Sequence, residues 1–309
     1  MNAIEVQGLT KVYDNQGIAV DNASFTVERG AAFGLLGPIG AGKSSIINVL
    51  LNFTAPTGGV VKLFEHDIPA QFQDVQHRIG YLPERPGFYN HFSAEKNLQF
   101  FAKLLRIADG RDEKIQNLFL LAGLEGKEKL QVSEYSLGDR KRLGIAAAML
   151  NDPELLVLDE PSTGLDPQGR RDVIELIHEL NAHNVTLFLA THSVSDAAEI
   201  CDVVALMKLG HVSSPISTKN FLAAVRGKTV LVEAEIANLD ERVLQAIKSV
   251  RGVKSIECEH LQIVLDFRPN IKEDVNYVIT RAGGRVRSLR DSPSLEEAYV
   301  KMMERWAVE

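Results

Sequence analysis

The feature that most constrains this chain is a glycine-rich loop between an apolar strand and an apolar helix, in the segment GLLGPIGAGKSSIINVL at 34–50. Gly37, Gly42, Lys43 and Ser44 fill every fixed position of a phosphate-binding loop. Glycines let backbone N–H groups close around an anion, and the helix start adds N–H donors and a positive dipole end. A turn that merely precedes a helix is the alternative, but the flanking strand and helix favour a nucleotide site.

A second segment, LLVLDE at 155–160, is an apolar strand that ends in two carboxylates. A fully apolar strand is typical of the centre of a parallel sheet, whose carboxyl edge is where ligands bind. We expect Asp159 to hold Mg²⁺ and Glu160 to polarise an attacking water as general base. An acidic turn at a strand end is common when it occurs alone, but beside a phosphate loop it indicates a hydrolytic site.

Composition limits the classes of function. The 309 residues carry a formal charge of -7, and the acidic surplus lies before Phe221, which argues against nucleic acid as a partner. Cys201 and Cys258 have no metal-like spacing and suggest neither a zinc site nor a disulfide framework. The polar start predicts no signal peptide, and no apolar run approaches the roughly 20 residues of a membrane span. We expect a cytoplasmic protein without a membrane span.

The hydrophobic pattern predicts an α/β chain of two domains. Short apolar runs alternate with helical segments in 154–212, which predicts a parallel sheet covered on both faces. Residues 92–150 read as helices, with Ser93 as an N-cap. We place one domain at 1–220, with a helical subdomain at about 84–150, and a second at 221–309. The strand, helix, strand, strand, helix, strand order in 221–309 predicts a small ferredoxin-like α+β domain.

Together with further motifs, these two segments make residues 1–220 resemble the ATP-binding-cassette (ABC) ATPases. Their motifs occur here in order: YD at 13–14, the phosphate loop (Walker A), ER at 84–85 at the Q-loop, and YSLGD at 135–139 at the signature motif. LDEPSTGLDP at 158–167 matches the Walker B strand and D-loop, and ATHSVSD at 190–196 contains the switch histidine. The resemblance implies a P-loop ABC-ATPase core with a parallel sheet, an antiparallel β subdomain and a helical subdomain.

The resemblance also assigns roles to residues. It implies that Glu160 and His192 are catalytic and that Ser44, Glu84 and Asp159 hold Mg²⁺. The nucleotide-binding residues that it implies are Tyr13, Gly37, Pro38, Ile39, Gly40, Ala41, Gly42, Lys43, Ser44, Ser45, Ser136, Gly138 and Asp166. In this family the signature loop of one subunit caps the ATP held by the other, so we expect a homodimer.

Several positions depart from the family pattern. Ile39 replaces the usual Asn at a free loop position, and Leu137 replaces the middle glycine of the signature. Asp139 adds negative charge near a phosphate, which the basic residues at 140–142 could offset. Glu84 replaces Gln and can still hold a metal, but its charge repels the γ-phosphate. A similar Glu occurs in ATPases that serve export-type partners, and slower hydrolysis is a hypothesis that follows.

The resemblance implies an energy-coupling subunit of an ABC exporter, lying on the cytoplasmic face of the cell membrane, with separate integral membrane permease subunits. The aromatic segment at 86–92 could accept a membrane subunit or fill the helical core. The C-terminal residues resemble the appended domain of ABC-2 export-type ATPases, either stabilising a dimer or sensing a ligand. Two other functions stay open: a soluble ABC ATPase acting on DNA or the ribosome, and an ATP sensor of low turnover.

Overall fold

The protein is described by a computed structural model that covers residues 1–14, 17–107, 110–226, 229–257, 262–266, 271–292 and 295–306. The described chain divides into two compact units, Met1–Thr218 and a second that begins at Lys219. Within the described residues, no helix combines the length and the apolar character that a membrane crossing needs. Cys258 lies outside the described residues.

The first unit contains eleven described strands and seven described helices. The strands are β1 (Asn2–Tyr13), β2 (Gly17–Glu28), β3 (Ala32–Leu36), β4 (Gly58–Leu63), β5 (His66–Ile68), β6 (Ile79–Leu82), β7 (Leu155–Asp159), β8 (Thr186–Thr191), β9 (Val203–Lys208), β10 (His211–Val212) and β11 (Ile216–Ser217). The helices are α1 (Lys43–Leu50), α2 (Phe72–Val75), α3 (Ala94–Leu104), α4 (Arg111–Leu121), α5 (Leu137–Ala148), α6 (Pro167–Ala182) and α7 (Val194–Ile200).

The main sheet of this unit has the strand order β10-β9-β3-β8-β7-β6, with β11 also on β9. The pairs from β9 to β6 are all parallel, whereas β10 and β11 pair antiparallel with β9. Every residue of β3, β7 and β8 is buried, which explains their nearly unbroken apolar sequences. The predicted parallel sheet is therefore confirmed, and it brings the carboxyl ends of β3, β7 and β8 to one edge.

A second sheet, with the order β2-β1-β4-β5, is antiparallel throughout. Its strands alternate buried and exposed side chains, since one face covers the core and the other meets solvent. Its inward side chains form one apolar cluster with α1 and with residues of β3, β7 and β8. This packing fixes α1, and with it the glycine-rich loop, against the main sheet.

The helical segment follows β6. Ser93 caps α3 by accepting a hydrogen bond from the N–H of Lys96, as the sequence predicted. Ser136 caps α5 in the same way, accepting from the N–H of Asp139, and this helix begins at Leu137. Gly138 therefore lies inside the first turn of α5 and not ahead of the helix.

The second unit combines helices with an antiparallel sheet, the arrangement of an α+β domain. Its elements are α8 (Thr218–Arg226, whose first residue belongs to the first unit), β12 (Thr229–Ala237), α9 (Glu241–Lys248), β13 (Val253–Glu257), β14 (Gln262–Asp266), α10 (Ile271–Arg281), β15 (Arg285–Ser292) and α11 (Leu295–Arg305). Its antiparallel sheet has the order β13-β14-β12-β15. Val232, Val243, Ile263 and Val275 are fully buried between sheet and helices. From β12 to β15 the chain follows the element order that predicted a ferredoxin-like domain.

Candidate functional site

The glycine-rich loop connects the end of β3 to the start of α1. Gly42 occupies the N-cap position of α1 with φ 111°, and no side chain caps this helix end. A Cβ on Gly42 would lie 2.2 Å from the carbonyl oxygen of Ala19, and one on Gly37 would lie 2.3 Å from that of Met207. The backbone therefore passes where only glycine fits, and it leaves the first N–H groups of α1 open to an anion.

Lys43 lies inside this loop. Its side chain is buried, and its Nζ donates hydrogen bonds to the carbonyl oxygens of Gly37 (2.8 Å) and Pro38 (3.2 Å). The same Nζ lies 3.5 Å from Oε1 of Glu160. Burial lowers the pKa of Lys43, and the Glu160 carboxylate opposes that change. The other loop residues are mostly at the surface: Pro38, Ile39, Gly40 and Ser44 are exposed, Ser45 is half-buried and Ala41 is buried.

Glu160 follows β7 directly, and its carboxylate is the centre of a small network. Its backbone N–H donates to the carbonyl of Ala190 on β8 (2.9 Å), which fixes the residue at the sheet edge. Oε2 accepts hydrogen bonds from the hydroxyls of Thr163 (3.1 Å) and Thr191 (3.3 Å), and it lies 2.9 Å from Nδ1 of His192. The structure thus brings three predicted site residues together: Lys43, Glu160 and His192.

Asp159 is the last residue of β7 and is only 8% exposed. Burial raises its pKa to about 6, the negative charges of Glu160 and Glu84 add to the increase, and Lys43 and Lys141 oppose it. Three carboxylates therefore repel one another around a buried strand end, and two ammonium groups only partly compensate. A site that holds such repulsion is arranged to accept further positive charge.

Lys141 on α5 is a site residue whose position sequence reasoning missed. Its side chain is 1% exposed, and Nζ donates to two backbone carbonyls, those of Glu84 (2.6 Å) and Glu160 (2.8 Å). Burial lowers its pKa to about 8 against the charges of Glu84, Asp159 and Glu160. In the sequence it lies within a run of three basic residues, which is typical of an exposed helix face, so no local signal revealed its burial. The side chain of Glu84 is itself exposed.

The start of α5 carries the predicted signature residues. Ser136 and Asp139 cap each other reciprocally, and Asp139 also pairs with Lys127 (2.9 Å) and Arg142 (2.7 Å). Burial alone would raise the pKa of Asp139, but these hydrogen bonds and charges hold it below its usual value. Only Arg142 of the basic run neutralises Asp139. The prediction was wrong for Arg140, which donates to the Tyr135 carbonyl, and for Lys141.

The remaining predicted residues lie apart from this network. A Cβ on Gly138 would lie 3.4 Å from Cα of Gly169, and Asp166 caps α6 by accepting from the N–H of Gly169 (2.7 Å). Ser136, Gly138 and Asp166 thus belong to one surface cluster at the starts of α5 and α6. In the described part of the chain, no hydrogen bond or ion pair joins these three residues to the loop at 37–45. Tyr13 ends β1, with the Lys11 ammonium 4.7 Å from its ring centre.

Comparison with known proteins gave consistent results. The family model described as "ABC transporter" matches residues 20–163. The chain is 32% identical over 303 residues to "Nod factor export ATP-binding protein I" of Rhizobium meliloti (strain 1021), covering 97% of this chain and 88% of the relative. It is 35% identical over 302 residues to "Bacitracin transport ATP-binding protein BcrA" of Enterococcus faecalis, covering 97% and 96%.

A solved structure has a similar fold over most of this chain. This structure, cbiO1 from Clostridium perfringens, described as part of the ABC transporter complex cbiONQ, is 25% identical. The match covers 72% of this chain and 91% of that one, with a TM-score of 0.67.

Proposed function

Because this chain belongs to the ABC transporter family, as its motifs predicted, we propose that it is the ATP-hydrolysing, energy-coupling subunit of an exporter whose membrane-spanning permease subunits are separate chains. One observation carries this proposal. The Glu160 carboxylate lies 3.5 Å from the phosphate-loop lysine and 2.9 Å from His192 at the carboxyl edge of a parallel sheet. Relatives named for Nod factor export and bacitracin transport, matched over nearly the whole chain, support the choice of an exporter.

In this proposal the loop at 37–45 binds the phosphates of ATP. The N–H groups at the start of α1 supply donors, and Lys43 exchanges its bonds to the loop carbonyls for bonds to the β- and γ-phosphates. Tyr13 stacks on the adenine. The side chain of Ile39 is 85% exposed, so its substitution for Asn leaves the backbone donors of the loop intact.

The residues around Asp159 fit a magnesium ion. Carboxylate and hydroxyl oxygens are the ligands that Mg²⁺ prefers. Burial raises the pKa of Asp159, repulsion from Glu160 and Glu84 adds to the increase, and a divalent cation would stabilise the charged carboxylate. Ser44, Asp159 and Glu84 are the residues that would hold it. When bound, the ion would neutralise charge on the phosphates during phosphoryl transfer.

Hydrolysis then depends on Glu160. Its carboxylate accepts hydrogen bonds from two threonine hydroxyls and is held beside His192, so one oxygen can orient a water and accept its proton. His192, with its side chain 40% exposed, reaches the open side of the site and contacts the γ-phosphate in this proposal. The two residues together align the water with the phosphorus atom.

The site in one chain is completed by a second copy. Ser136, Gly138 and Asp166 form a surface cluster that no described hydrogen bond or ion pair joins to the loop at 37–45, and in this proposal they act on the nucleotide held by the other copy. The N-terminal end of α5 suits a γ-phosphate because helix starts favour anions. We therefore include a homodimer in the proposal, with two ATP molecules at the shared interface. The complex would lie on the cytoplasmic face of the cell membrane, with no nucleic acid involved.

Steady-state ATP hydrolysis by the purified protein tests the proposal. Glu160→Gln should lower kcat by about 100-fold or more, since general bases typically contribute that much. Glu154→Gln is the matched control, because Glu154 precedes the opposite end of β7 and pairs with Arg78. The control should stay within about twofold of the native rate. A native protein without turnover, or full activity in Glu160→Gln, would contradict the proposal.

A further inference from the structure

Lys141 joins three parts of the first unit that are far apart in sequence. Its stem leaves α5, and its buried ammonium donates to the Glu84 carbonyl in the loop after β6 and to the Glu160 carbonyl at the end of β7. Both acceptors are backbone atoms. Lys141 therefore restrains the backbone of both loops, and this restraint does not depend on the side chains that the loops carry.

We propose that Lys141 is a positioning residue for hydrolysis: it fixes the backbone of Glu160, and so the aim of its carboxylate, and couples that backbone to the loop at Glu84. This inference rests on the proposed function, because it assumes that Glu160 activates the water. Lys141 does not touch the nucleotide in this account. It acts through Glu160.

The backbone conformation of Glu160 is one that hydrogen bonds to its surroundings must stabilise. Its φ is 47°, in the left-handed region that residues with a side chain seldom adopt. Such a conformation persists only where the surroundings fix it. The N–H of Glu160 donates to the Ala190 carbonyl on β8, and its carbonyl accepts a short bond from Lys141 (2.8 Å) and a longer one from the N–H of Thr163 (3.4 Å). Removing the lysine leaves the carbonyl with only the longer bond.

A second contact of α5 supports the coupling to the loop at Glu84. Gly144 lies one turn after Lys141 on the same face of the helix. A Cβ there would lie 2.5 Å from Cδ1 of Leu82 and 3.0 Å from Cγ of Pro86, so the helix backbone sits directly on this loop. Helix α5, which has Ser136 and Gly138 at its start, therefore contacts the loop after β6 through both Lys141 and Gly144. It contacts Glu160 through Lys141 alone.

The location of Lys141 also excludes a role as a simple surface charge. A fully buried ammonium carries a large desolvation cost, and two carbonyl oxygens do not neutralise it. The carboxylates of Asp159, Glu160 and Glu84 supply the balancing charge. Lys141→Met keeps the apolar stem and removes both hydrogen bonds and the charge. Lys141→Arg keeps the charge and can restore at least one bond.

The experiment measures kcat, KM for ATP, ATP affinity and thermal stability in Lys141→Met and Lys141→Arg. We expect Lys141→Met to lower kcat by about 10-fold or more while KM and ATP affinity stay within about threefold, and Lys141→Arg to recover part of the rate. Lys129→Met is the matched control, because Lys129 is exposed and pairs only with Glu95 on the surface in the described contacts. It should behave like the native protein.

The decisive comparison is made in the Glu160→Gln background. If Lys141 acts through Glu160, Lys141→Met should lower the residual rate of Glu160→Gln by less than about twofold, because residues that act as a unit are not additive. A full additional loss there, or native kcat in the single variant, would overturn the inference. If Lys141→Met does not fold, Lys141→Gln, which removes the charge but keeps an NH₂ donor group, takes its place in the same comparison. A native protein without turnover would instead refute the proposed function.

Discussion

At the scale of single residues, the edge of the main sheet holds more negative charge than its environment stabilises. Asp159 is buried beside Glu160, and the pKa of its carboxyl group rises to about 6 for that reason. Functional sites commonly retain such unfavourable interactions because the ligand relieves them. We therefore expect Asp159, a proposed metal ligand, to lower the free energy of unfolding when the protein has no ligand bound.

Asp159→Asn tests this expectation. Since the folded-state pKa exceeds the unfolded value near 3.9, the folded protein binds more protons between about pH 4 and 6, and its free energy of unfolding falls as pH rises through that window. Without nucleotide, the variant should be more stable than the native protein by about 1–3 kcal/mol at pH 7.5 and should lose much of this pH dependence. Denaturant unfolding at several pH values measures both effects.

Asp152→Asn is the control for this experiment, because Asp152 is an exposed residue that pairs with Lys114. It should leave the pH dependence between pH 4 and 6 unchanged. A native-like pH dependence in Asp159→Asn, or a loss of stability at pH 7.5, would show that the Asp159 carboxylate is not the source of the repulsion.

At the scale of elements, two glycines of the glycine-rich loop are required for different reasons. Gly42 leaves no room for a side chain, whereas Gly40 is constrained only by its backbone conformation. Gly42 (φ 111°) and Gly40 (φ 81°) both have a positive φ. A Cβ on Gly42 would overlap the Ala19 carbonyl, whereas one on Gly40 would meet nothing within 4 Å. Gly42→Ala should therefore be the more destabilising of the pair by about 1–3 kcal/mol, because it adds a steric clash to the strain. Equal unfolding midpoints for the two variants would contradict this account of the loop.

The start of α5 depends on the charge of Asp139. Its folded-state pKa is lowered, so its contribution to stability is present above the unfolded pKa near 4 and is lost as pH falls below it. Asp139→Asn should cost about 1–2 kcal/mol at pH 7.5 and much less at pH 3. Asp112→Asn, at the exposed start of α4, is the comparison variant. An Asp139→Asn cost that does not change with pH would show that shape, and not charge, determines this cap.

At the scale of the whole molecule, local patterns in the sequence predicted what local physics controls. The apolar strands, the glycine-rich loop between a strand and a helix, and the Ser93 cap follow from spacing and residue type, and the structure confirms them. The burial of Lys141 and the partners of Asp139 were not predictable in this way. They depend on how α5 packs against the loop after β6 and on Lys127, a residue from the segment before the signature motif. The family and its core fold are likewise confirmed, whereas the roles of the site residues stay predictions.

The predicted site residues of one chain form two separate clusters. Lys43, Glu160 and His192 form the first cluster, and Ser136, Gly138 and Asp166 form the second. If each nucleotide contacts the first cluster of one copy and the second cluster of another, then ATP binding joins two chains and hydrolysis separates them. Differential affinity of ATP for the joined state would supply the force that moves the permease subunits.

The most direct test of this account is the mass of Glu160→Gln measured by light scattering with and without ATP and Mg²⁺. The account predicts a monomer without nucleotide and a stable dimer with ATP and Mg²⁺, because binding continues while hydrolysis is blocked. Adding Lys43→Met to the same variant should abolish the dimer. A mass that is the same with and without ATP, although ATP is shown to bind, would contradict the central claim.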